Sequence, residues 1–107
     1  MRALYKIIRS IQMEEEKIQS IRDYLKDQFP SAEHADKYDF NKMGYKFRIT
    51  TENHVMLALI SKELIMFNNS ETIISIIDRI NISKLLTSNP KSIVIVTSSG
   101  VRIEPRN

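Results

Sequence analysis

Leu4, Ile7, Ile11, Ile18, Ile21 and Leu25 recur on a seven-residue repeat in which Glu14 is the one polar residue at register. That spacing predicts a single long helix over residues 3–29 with a narrow apolar seam. Pro30 sets its end, because proline disfavours helical geometry in the residue before it and lacks a backbone N–H. A helix of about 27 residues is roughly 40 Å long, whereas the other ~80 residues make a globule only ~30 Å across. Either the helix bends near Glu14, or the part of the seam that overhangs is covered by a second copy or another protein. A helix lying wholly on its own sheet is the competing expectation, since core-facing helices also place apolar residues at three- and four-residue steps.

Residues 30–43 lose this periodicity and read as a connector, with at most one short helical turn begun by Ser31. Beyond Gly44, Tyr45, Phe47 and Ile49 alternate with Lys46, Arg48 and Thr50, the two-residue period of a half-buried strand. A turn at Thr51–His54 and the apolar run Val55–Ile60 complete a hairpin. Ser61–Phe67 admits two readings, a helical turn capped by Ser61 or a strand over 64–67, of which the strand is preferred. Asn68 and Glu71 resemble a capping pair, and Ile73, Ile74, Ile76, Ile77 and Ile80 then form a broad helical face. Ser83 begins a short helix carrying Leu85 and Leu86, stopped by Asn89-Pro90.

Ile93–Thr97 reads as an apolar strand, Ser98-Ser99-Gly100 as a turn and Val101–Glu104 as an outer strand. The expected fold class is α+β, a single domain over 1–107 in which residues 44–107 form a helix-and-sheet body. The long N-terminal helix and a second helix pack on one face of an antiparallel sheet of about four strands built from two hairpins.

Chemistry is restricted by what the chain lacks. Without cysteine there is no disulfide, thiolate nucleophile or cysteine zinc site, and two glycines cannot supply a glycine-rich phosphate loop. Imidazole chemistry reduces to His34 and His54. Glu33-His34-Ala35-Asp36 offers metal-ligand types, but a polar connector gives them no fixed geometry, and Asn53-His54 reads as turn chemistry. Adjacent helical positions diverge by about 100°, so Glu14-Glu15-Glu16 is a hydrated helix surface rather than a carboxylate pair. No catalytic residue, metal or cofactor is therefore expected. Charged residues interrupt the N-terminal apolar residues and no run approaches ~20 apolar residues, so the expectation is a cytoplasmic protein without membrane contact.

Lysine and arginine number 16 against 13 acidic residues, interleaved along the chain, for a net charge of +3. Such a balance permits nucleic-acid binding without requiring it. Three functional expectations follow. The first is a non-enzymatic interaction protein that self-associates, as a homodimer or higher, or binds a protein partner through Leu4, Ile7, Ile11, Ile18, Ile21 and Leu25. The second is a nucleic-acid-binding regulator using Lys46, Arg48, Arg102 and Arg106, should folding bring them together. The third is a small enzyme pairing His34 or His54 with a carboxylate at an oligomer interface.

Overall fold

In the computed structural model, residues 2–106 are described as backbone and residues 14–106 with their side chains. The first helix, α1, spans Arg2–Gln28, in agreement with the heptad spacing and the stop at Pro30. Three strands follow, β1 (Glu33–Asp39), β2 (Gly44–Thr50) and β3 (Val55–Ser61), each antiparallel to the next. Helices α2 (Lys62–Met66), α3 (Ser70–Arg79) and α4 (Ile82–Ser88) then lead to β4 (Ser92–Thr97) and β5 (Gly100–Pro105), which form the C-terminal hairpin.

The five strands lie in the order β1-β2-β3-β4-β5, and β4 runs parallel to β3. The α+β class holds, but the sheet has five strands and is mixed, where four antiparallel strands were expected. The parallel pair has a direct cause: the chain crosses the sheet as three helices between β3 and β4, so β4 enters beside β3 in the same direction. The fifth strand, β1, lies inside the expected connector. As an edge strand it has one hydrogen-bonded neighbour and alternates exposed with half-buried residues, so its sequence, EHADKYD, never acquires an apolar face.

The preferred strand at 64–67 is also replaced. Ser61 Oγ accepts the Leu64 backbone N–H at 3.3 Å, and the capped turn becomes α2 with Leu64 and Ile65 buried. The cap of α3 is Asn69, one residue later than expected, with its Oδ1 accepting the Thr72 N–H at 2.8 Å. Asn81, at φ 54°, turns the chain between α3 and α4 in a left-handed conformation that asparagine tolerates.

All four helices lie on one face of the sheet. Beneath them Ile18, Ile21 and Leu25 of α1 join Phe47, Ile49, Met56, Ala58, Ile60, Val94 and Val96 of the strands, with Ile73, Ile77, Ile82 and Leu86 closing the layer. Polar contacts fix the pose of α1 on that core. Arg22 forks onto Asp36 of β1, with Nε and one terminal nitrogen 2.8 and 3.0 Å from its two oxygens, and also reaches Glu15. Its hydrogen bond to Asp36, and then that to Glu15, push the already basic guanidinium pKa higher still. The hydroxyls of Tyr45 and Tyr24 donate to Glu14 and Asp78, both at 2.9 Å. Burial, reinforced by those carboxylates, pushes each phenol up to about 12.

Candidate functional site

Two surfaces gather the residues singled out in the sequence. Along α1, Ile18, Ile21 and Leu25 are at most 3% exposed and belong to the chain's own core. The sheet therefore covers this half of the seam, which removes these three side chains from the expected partner surface. Leu4, Ile7 and Ile11 lie outside the residues whose side chains are described.

Where α1 enters the body, large apolar side chains are left in water. Phe40 and Met43 of the β1–β2 turn are 84% and 65% exposed, and Met66 and Phe67 at the end of α2 are 50% and 82% exposed. Hydrogen bonds to backbone carbonyls tie these segments to one another: the Lys62 N–H donates to the Met43 carbonyl at 3.0 Å, and the Lys17 ammonium of α1 donates to the carbonyls of Ile65 and Met66. Tyr38 stacks edge-on against Phe40 and Tyr45, with centroids 4.7 and 5.0 Å away, and Tyr45 in turn reaches Glu14. Turn, α2 and α1 thus meet at one end of the molecule. Sequence reasoning missed these four residues because two sat in the supposed connector and two in a supposed strand.

The second surface is the sheet face without helices. Register places Ala35, Arg48, Leu57, Ile93 and Glu104 in one cross-strand row and Lys37, Lys46, Leu59, Ile95 and Arg102 in the next. Leu57, Leu59, Ile93 and Ile95 form an aliphatic cluster that no helix residue joins. Three of the four cations expected to act together, Lys46, Arg48 and Arg102, therefore do share a face. Arg106 flanks it, but its guanidinium donates to the carbonyls of Val55 and Pro90, so it ties the C-terminal segment to β3 and β4.

Lys46 pairs with Asp39 at 3.3 Å and Arg102 with Glu104 at 3.4 Å, whereas Lys37 and Arg48 form no ion pair among the described residues. The Asp39 carboxyl is held below its ordinary range by the Lys42 backbone N–H, with help from Lys46. A depression of about 340 Å³ lies over this corner, lined by Asp36, Lys37, Lys46, Arg48 and Arg106 around Ala35, Val55 and Leu57, with the Asp36 carboxylate held by Arg22. Lys37 was missed in the sequence because β1 was.

Tyr45 and Phe47 face the helices, as alternation required, leaving Lys46 and Arg48 outside. The histidine candidates are dispersed. His34 Nε2 donates to the Phe29 carbonyl at 2.9 Å, and Asp36 is held by Arg22, while Glu33 lies on the opposite face of the same strand. His54 is exposed in the β2–β3 turn, where its N–H and carbonyl bond Thr51. Among the described residues, no cluster of three potential metal ligands forms. No helix there is long and apolar enough to cross a membrane.

No family model matches the chain, and no curated protein or solved structure shows detectable similarity to it.

Proposed function

We propose that the protein is a non-enzymatic interaction module that self-associates through the N-terminal half of α1. The exposed collar of Phe40, Met43, Met66 and Phe67 at the root of that half carries the reading, because clustered large apolar side chains in water mark contact surfaces. The residues of α1 before Glu14 extend the helix by about 18 Å at helical rise, and they carry the rest of the heptad seam in Leu4, Ile7 and Ile11.

A second copy is the partner because the charge along this stretch is complementary to itself. Arg2, Lys6 and Arg9 precede Glu14, Glu15 and Glu16, so two such segments running antiparallel set the basic end of each beside the acidic end of the other. Such a contact is isologous and closes as a dimer, with each collar packing on the incoming helix.

The molecular mass in solution tests this, by light scattering on a sizing column. The wild type runs as a dimer; Ile7→Glu with Ile11→Glu, and separately Phe40→Ser with Phe67→Ser, run as monomers that keep the wild-type secondary structure and unfold cooperatively, at a midpoint lowered only by the lost association. A wild-type monomer at high protein concentration, with its helix content intact, overturns the proposal.

A further inference from the structure

We infer that the open sheet face is a docking site for an acidic protein segment, one whose carboxylates border one edge of an aliphatic stripe. The open face carries a charge arrangement that the fold does not need. Lys37 and Lys46 are direct cross-strand partners, and Arg48 is diagonal to Lys37 on the same face. Like charges placed opposite each other in a sheet are destabilising, since their Cβ atoms stand only about 5 Å apart. Asp39 answers one of the three, at Lys46, leaving Lys37 and Arg48 unpaired among the described residues. An anion seated over Ala35 and Leu57 relieves this repulsion and meets both free cations.

The chemistry around the cations selects the source of that anion. Beside them lies the depression of about 340 Å³, its apolar lining supplied by Ala35, Val55 and Leu57, and the aliphatic strip continues through Leu59, Ile93 and Ile95, which are 2–4% exposed and become available only as the flanking side chains move aside. Tyr38, Tyr45 and Phe47 all sit on the helix side, and no aromatic side chain lies in the strand rows of the open face. Nucleic-acid bases, which bind sheet surfaces by stacking on aromatics, find no platform here. Leucine or isoleucine side chains bordered on one edge by glutamate or aspartate match the strip and its cationic edge at Lys37 and Arg48, whereas the far edge, where Arg102 already pairs with Glu104, calls for no further carboxylate.

The site is separate from the collar and does not depend on α1 self-association. Fluorescence anisotropy with a labelled helical peptide, a leucine stripe bordered on one edge by glutamates, tests it against a labelled oligothymidine. The peptide is expected to bind at low salt, to weaken as salt rises, and to lose at least about ten-fold in affinity to Lys37→Glu with Arg48→Glu. Both residues are exposed, and Lys37→Glu turns the repulsion with Lys46 into an attraction, so this variant is expected to unfold no earlier than the wild type, and Arg48→Lys retains most of the binding. Tighter binding of the oligothymidine, no binding of the peptide at low salt, or equal binding by the charge-reversed variant each overturns the inference.

Discussion

On the inner face of the sheet, Phe47, Ile49, Ile60, Val94 and Val96 lie under α1, α3 and α4 and are essentially inaccessible. On the outer face, Leu59, Ile93 and Ile95 are only 2–4% exposed although no second layer covers them. Their direct and diagonal neighbours in the register include Lys46, Arg48, Arg102 and Glu104, side chains long enough to shield an aliphatic strip with their stems while the charged ends stay in water. The same strands therefore carry two kinds of burial. One is a packed interior in which each side chain is held from several elements; the other is a roofed surface whose roof can part. The first specifies the fold, and the second is where a partner displaces the cover without unfolding the protein.

Matched truncations on the two faces test this distinction most severely. Ile60→Ala, on the inner face of β3, removes methyl groups from a site enclosed by helices and strands, and is expected to cost about 4 kcal/mol. Ile95→Ala, on the outer face of the adjacent β4, is expected to cost about 2 kcal/mol, because the flanking stems can settle into the space. Urea unfolding midpoints measure both. Equal losses at the two positions would mean that the outer strip is packed as rigidly as the core, and the contrast would fail.

The inner face was also the more legible of the two in the sequence. The period of β2 and the isoleucine face of α3 report burial under a helix layer, the apolar run of β3 reports burial on both of its faces, and Pro30, Asn89 and Pro90 mark the ends of α1 and α4. β1 was illegible for the opposite reason. Its half-buried side, His34, Asp36 and Tyr38, is polar because α1 and β2 meet it with polar groups: Arg22, the Phe29 carbonyl and Tyr45. Missing β1 hid Lys37, and with it the opposed lysines of the open face. The helix α2 was obscured because LIMF suits a strand locally, until Ser61 caps it and Lys17 of α1 satisfies its last carbonyls. Cross-strand register, which puts Arg102 of β5 in the same row as Lys46 of β2, depends on pairings far apart in the chain and has no local signal.

The smallest expected effect sharpens the comparison at the seam between α1 and the sheet, and it is read through pH. Tyr45 sits on the inner face beside Glu14, and its phenol is pushed up to about 12, first by burial and then by that carboxylate. The folded state thus holds this proton more tightly than the unfolded chain, whose tyrosines ionise near pH 10. The stabilising difference is complete below pH 10 and is lost as pH rises through about 12, since over that interval the unfolded state releases a proton that the folded state keeps. Tyr24, held by Asp78 of α3, contributes in the same direction. Stability measured by denaturant between pH 8 and pH 11 is therefore expected to fall at the alkaline end, and Tyr45→Phe to fall less steeply than wild type. The outer face has no tyrosine in its strand rows, so reversing Arg48 should leave the steepness of this alkaline decline unchanged. An identical alkaline slope in wild type and Tyr45→Phe would show that the hydroxyl is equally free to ionise in both states, and that the tie between α1 and β2 at Glu14 does not persist in solution.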